Sequence, residues 1–156
     1  MKYFGPLLVV KDIEQAKRFY TELLGMEIEA DCNGNIALKG GVSLQEQKLW
    51  EGFIRKEEKD MIFYHNTVEL YFEEEDLEGL LRRLEEWKVK YVHPLIEHRW
   101  GQRVVRFRDP DGHIIEIGEP MPVVIRRFLA AGMTKEETAK RMDVTMEYLE
   151  AALKES

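Results

Sequence analysis

Apolar and polar positions alternate along this chain with two different periods, and the changes of period outline its elements. Residues 3–10, YFGPLLVV, form an apolar run that predicts a buried strand. Asp12 then stands where a helix N-cap belongs. After it, IEQAKRFYTELLG puts Ile13, Ala16, Phe19, Tyr20, Leu23 and Leu24 on one helical stripe. Gly25 suits the end of that helix, because the closing residue is commonly left-handed. Short alternating runs follow, MEIEA, NIALKG and VSLQEQ, broken by the hairpin signals Asn33-Gly34 and Gly40-Gly41. The polar stretch from Lys48 to His65, with RKEEKD inside it, predicts a solvated loop or a short helix and linker.

The pattern then starts again. TVELYFEEED alternates as a strand, Asp76 caps LEGLLRRLEEWK, and Leu77, Leu80, Leu81 and Leu84 form its apolar stripe. VKYVHPLIEH, RVVRFRD and HIIEIGE complete a second strand set. The chain is therefore an internal repeat, about residues 1–47 and 66–120, of a strand, an Asp-capped helix and three strands. One βαβββ unit leaves its sheet curved with a face uncovered, and two such units would enclose a cleft. The predicted fold is α+β, two βαβββ repeats forming curved mixed sheets around a cleft, with a helical extension over residues 121–156. In that extension VVIRRFLAAG predicts a helix ended by Gly132, Thr134 with Glu137 forms a capping box, and Thr145 caps MEYLEAALKES. The apolar stripes there, Val124, Phe128 and Leu129, then Tyr148, Leu149 and Leu153, look too few for a core of their own. The expectation is that they bury against the main domain or a partner.

Composition narrows the function. The 156 residues carry a net charge of −7, with 44% hydrophobic and 34% charged residues, which suits a soluble globular protein. A surplus of acid argues against a general nucleic-acid or anionic-membrane partner. No stretch approaches the ~20 apolar residues needed to span a bilayer, and no signal-peptide pattern opens the chain. A cytoplasmic protein is expected. The single cysteine, Cys32 in DCNGN, reads as a tolerated thiol.

The two-repeat layout, LLVVKDIEQAKRFYTELLGM near the start and RFRDPDGHIIEIGE near the end, resembles the vicinal oxygen chelate superfamily. That group includes glyoxalase I, bleomycin-resistance proteins, fosfomycin-resistance enzymes and extradiol dioxygenases. The resemblance covers about residues 1–120 and implies a cleft in which a divalent metal is chelated by adjacent substrate oxygens and acts as a Lewis acid. It also implies four ligand positions, one near the start and one near the end of each repeat. Glu116 matches the last of them. Glu69, seven residues before Asp76, falls where glyoxalase-like members usually carry His, and strand parity turns it to the cleft with Tyr71 and Glu73. Gln45 takes the place of a usual Glu, and Glu46 could replace it only if a bulge shifted the register. Gly5, seven residues before Asp12, offers no side chain. A metal site would thus rest on Glu69 and Glu116.

Elsewhere, EHRWGQR sets His98, Trp100 and Arg103 at the cleft rim, an aromatic plate and a guanidinium suited to a flat or anionic molecule. Packing of Trp100 on the core is the competing reading. His65 and His93 receive no role, and His113 alternates with core isoleucines. The tail also resembles the helix-turn-helix of sigma-like and resolvase-like regulators. Its residues 123–156 hold six basic and six acidic residues, and its last helix offers Glu147, Glu150 and Glu155 against Lys154. Such a surface would repel phosphate. Three readings stay open. The first is a small-molecule binding protein of the glyoxalase/bleomycin-resistance type, its ligand held in the cleft by Gln45, Glu69, Tyr71, His98, Trp100, Arg103 and Glu116. The second is a lyase or dioxygenase that depends on Mn, Ni, Fe or Zn. The third is a ligand-sensing regulator using the C-terminal helices. The resemblance implies a homodimer.

Overall fold

Two aspartates open the two repeats in the same way. In a computed structural model that describes residues 1–154, the Asp12 carboxylate accepts from the Glu14 and Gln15 N–H groups at 3.1 and 3.0 Å. Asp76 accepts from the Gly79 N–H at 2.8 Å. Each satisfies backbone donors that a helix start leaves without partners. The elements that follow are strand β1 (Leu7–Val10), helix α1 (Ile13–Arg18), β2 (Ile28–Cys32), β3 (Asn35–Leu38) and β4 (Ser43–Glu46). After helix α2 (Gln47–Ile54) the order repeats as β5 (Glu69–Glu73), α3 (Leu77–Glu86), β6 (Lys90–Glu97), β7 (Arg103–Arg108) and β8 (Ile114–Gly118). Helices α4 (Met121–Ala130), α5 (Lys135–Met142) and α6 (Met146–Ala152) close the chain. Glu155, one of the acids set against DNA binding above, lies outside the described residues.

Each repeat builds a four-stranded sheet with the same order, β1-β4-β3-β2 and β5-β8-β7-β6. In the first, β1 runs parallel to β4, while β3 pairs antiparallel with both β2 and β4. Asn33 and Gly34 turn β2 into β3 with φ of 41° and 88°, the positive pair that a two-residue hairpin needs. The register shift in these pairings lies in β2, between Ile28 and Ala30, and not in β4. Glu46 therefore keeps its regular position beside Val10. Along β1 and β4 the buried Leu8, Val10 and Leu44 meet Ile36 and Leu38 of β3, and α1 adds Ala16. Helix α1 continues into a wider π-helical turn, Phe19–Leu23, whose Phe19, Tyr20 and Leu23 are all buried.

The chain divides into two compact units. One comprises Met1–Glu69, Trp87–Lys90 and Arg108–Ile114, and the other Leu70–Glu86, Tyr91–Phe107 and the chain from Ile115 onward. The tail thus belongs with most of the second repeat. Its apolar residues also differ from expectation, because they form a cluster of their own: Val124, Ile125, Phe128, Ala139, Met142, Leu149 and Ala152. Helix α5 supplies Ala139 and Met142, residues outside the two stripes noted in the sequence. The capping box at Thr134 and Glu137 and the cap at Thr145 form as expected.

Candidate functional site

Alternation along a strand sends neighbouring side chains to opposite faces, and β5 shows it plainly. Leu70 and Phe72 are half-buried, whereas Glu69, Tyr71 and Glu73 are exposed. The Tyr71 face of the second sheet carries a connected set of polar groups. Trp100 Nε1–H donates to Gln102 Oε1 at 3.1 Å, and Gln102 Nε2–H donates to the Tyr71 hydroxyl at 3.0 Å. That hydroxyl donates onward to Glu73 at 3.0 Å. Burial first, and the bond to Glu73 second, push the Tyr71 phenol up to about 12, so it stays a neutral donor at ordinary pH. Gly118 makes room for this set, since a Cβ there would lie 2.9 Å from Gln102 Nε2.

Glu116 stands on the same strand as Gly118 and two residues from it, hence on the same face. Its carboxylate is buried and ion-paired with Arg106 of the neighbouring β7. The other arm of Arg106 approaches His93 Nε2 at 3.1 Å. A guanidinium only donates, so Nε2 accepts, and the ring proton sits on Nδ1, 2.8 Å from the Pro94 carbonyl that it can meet. His98 stacks on Trp100 with ring centroids 4.3 Å apart. Burial, and then the charge of Arg106, hold the His98 imidazole below its usual value. Sequence reasoning missed Arg106, His93, Gln102 and Gly118. The strand parity of Arg106 was readable, but its pairing with Glu116 depends on the register between two strands.

The remaining candidates are used elsewhere. Arg103 turns to Glu119, donating through Nε at 2.9 Å and Nη2 at 2.7 Å, and also reaches Glu78 at 3.3 Å. It does not stand at a rim beside Trp100 as expected. Gln45 is buried, accepting from Asn35 Nδ2 at 2.9 Å and donating to the Gly34 carbonyl at 3.0 Å, so its amide fastens the β2–β3 turn. Gly5 is fixed by its backbone: at φ 134° a Cβ would sit 1.6 Å from the Gly41 carbonyl oxygen.

These residues do not fit the divalent metal that the resemblance implies. A ligand carboxylate must offer lone pairs, and Glu116 is engaged by a guanidinium. Gln45 has both ends of its amide bonded, and Gly5 has no donor. Among the described residues, no three His, Cys, Asp or Glu side chains gather into a group that could hold a metal ion. No reaction step through a metal is derived from this site.

Residues 3–122 match the family model of the glyoxalase-like domain. The chain belongs to that family. It shares 34% identity with a protein of unknown function from Agrobacterium tumefaciens, covering 76% of this chain and 94% of that one, with a TM-score of 0.67. A glyoxalase/bleomycin resistance protein/dioxygenase from Nocardioides is 21% identical over 76% of this chain and 83% of its own, with a TM-score of 0.61. A lactoylglutathione lyase from Agrobacterium tumefaciens is 23% identical over 76% and 92%, with a TM-score of 0.56. The last two likenesses establish the fold alone. No curated protein matches. The glyoxalase-like domain is thus a vicinal oxygen chelate fold followed by the three-helix tail. Among the described residues, no helix is long and apolar enough to cross a membrane.

Proposed function

We propose that this glyoxalase-like protein binds a small organic molecule against the Tyr71 face of its second sheet, and that it works without a resident catalytic metal. The observation that carries the reading is the Arg106–Glu116 pair. It converts the strand carboxylate from a metal donor into half of a neutral pair, leaving a surface of hydrogen-bonding groups beside the stacked His98 and Trp100. Such a surface suits a partly planar ligand with both donors and acceptors. The exposed side of α6 carries Glu147 and Glu150, which would repel phosphate, so a DNA-reading tail gains no support.

The test is elemental analysis and native mass spectrometry of protein purified without chelators, for wild type, Glu116→Ala and Arg106→Ala. The reading expects substoichiometric metal in all three and a co-purifying organic mass that is lost in Arg106→Ala. One equivalent of a divalent metal in wild type, absent from Glu116→Ala, would instead establish the metal-dependent enzyme.

A further inference from the structure

A further pocket lies within the first unit, and its walls combine aromatic rings with cations. Its volume is about 330 Å³, within the range of small-molecule sites. Phe19 and Trp87 meet edge to face at 6.2 Å and 84°, and Tyr64 adds a further ring. Trp87 and Tyr64 are 36% and 45% exposed, although each is large and apolar enough to be covered. Lys90 Nζ lies 5.1 Å from the Tyr64 ring centroid and Arg108 Cζ lies 5.6 Å from it, while Lys88 lines the same pocket. Three cations thus converge in a chain whose net charge is −7.

The acids around the pocket leave these charges to a ligand. Arg108 directs three of its five N–H donors to neutral oxygens, the carbonyls of His65 and Gly112 at 3.3 and 2.6 Å and the Asn66 side chain, so its charge is not met by an acid through these bonds. Asp109 is the acid that lines the pocket, but its carboxylate is already filled from the inner side. The Tyr20 hydroxyl and His113 Nδ1 meet one oxygen at 2.9 and 2.7 Å, and the N–H groups of Asp111 and His113 meet the other at 3.0 and 2.8 Å. The wall is also built at a cost. Tyr64 and Lys88 both adopt left-handed backbone, with φ of 59° and 51°, where side-chain-bearing residues are uncommon. Lys88 follows the end of α3, where a left-handed residue is common, so Tyr64 is the position whose strain bears on the pocket. Gly112 is what admits the Tyr64 wall, because a Cβ there would stand 2.6 Å from the Tyr64 ring.

We infer that this pocket is a binding site for an aromatic carboxylate, its ring held between Trp87 and Tyr64 and its carboxylate facing Lys88, Lys90 and Arg108. Aromatic walls provide stacking area at low entropic cost. The cations provide charge-assisted hydrogen bonds, and neither contribution alone accounts for both sets of residues. The inference does not depend on the ligand proposed for the second sheet.

Isothermal titration with 2-naphthoate tests it, alongside the uncharged 2-naphthamide and the non-aromatic cyclohexanecarboxylate. Expected is saturable, salt-sensitive binding of 2-naphthoate, with both analogues weaker by about tenfold or more, the loss of one charge-assisted contact. Lys90→Gln and Trp87→Leu should each weaken 2-naphthoate by a similar factor, while Lys140→Gln, the same charge change at an exposed position of α5, leaves it unchanged. Lys90 is exposed, and an unaltered melting temperature for its variant would show that folding is intact. The inference is overturned if 2-naphthoate fails to saturate at millimolar concentration or the amide binds equally well. Loss of binding in Lys140→Gln but not in Lys90→Gln would overturn it too.

Discussion

Replacing Glu119 tests how the tail is fastened to the second repeat. Its side chain is 0% exposed and accepts from Arg103 Nη2 at 2.7 Å and Arg127 Nη2 at 3.1 Å. It also accepts from the Arg103 backbone N–H at 3.1 Å. Arg127 belongs to α4, so one carboxylate joins β7 to the tail. Removing one partner of a buried ion pair costs about 3–5 kcal/mol, largely because the remaining charge is stranded. Here the two guanidinium side chains keep 30% and 32% exposure, and each retains a second acid, Glu78 or Glu97. The lower end, about 3 kcal/mol, is therefore the appropriate figure for Glu119→Ala. For a chain of this size that lowers Tm by roughly 6–12 °C.

The effect should also depend on pH in a defined direction. Burial alone would push the Glu119 carboxyl up, but bonds from Arg103 and the charges of Arg127 and Arg103 outweigh it and hold it below its usual 4.5. A depressed carboxyl stabilises the fold above the unfolded value, and this contribution fades as pH falls toward the folded one. The Tm gap between wild type and Glu119→Ala, followed by circular dichroism, should be full at neutral pH and narrower by about pH 3. A drop smaller than about 2 °C at neutral pH, or a gap indifferent to acid, would refute the reasoning.

Deleting residues 123–156 removes Arg127 from Glu119 and Phe128 from its place against Gly101, where a Cβ would approach the ring to 2.1 Å. The truncated protein should melt lower and bind more of a hydrophobic dye, and an unchanged melt with no gain in dye would contradict this. We also propose a homodimer, since Tyr3, Phe4, Phe53 and Ile62 are exposed apolar side chains that a second copy could cover. Light scattering at the mass of one chain would dismiss it.

The strand and helix pattern was legible because it is local. Period-2 and period-3.6 runs, the capping aspartates and Asn33-Gly34 each act over a few residues. Along β5 the exposed Glu69, Tyr71 and Glu73 alternate with the half-buried Leu70 and Phe72, the period of two that the sequence carries. The partners of the polar residues were not legible, because they depend on register between strands. Arg106 lies ten positions before Glu116 in the chain and beside it only once β7 and β8 pair. The aromatic pocket was hidden for a different reason. Tyr64, Trp87 and Lys88 lie in the linker and in the loop after α3, where no periodicity marks them, and the left-handed backbone at two of them has no sequence signature.

The strands β7 and β8 explain why a sheet so apolar carries two buried acids. Arg103 and Arg106 are three residues apart, and so are Glu116 and Glu119. The odd spacing puts Arg103 and Arg106 on opposite faces of β7, and Glu119, one residue past the end of β8, stays in step with β7 through its N–H bond to the Arg103 carbonyl at 3.0 Å. The neighbouring strands thereby hold one Arg–Glu pair per face, Arg106 with Glu116 and Arg103 with Glu119. Each carboxylate would be costly to bury alone, and each is neutralised by an arginine from the next strand. Yet the two faces use the same chemistry differently. On one, Arg127 joins the pair from α4 and the result is a fastening for the tail. On the other, His93 joins it, the Tyr71–Gln102 set lies alongside, and a polar surface is left for a ligand.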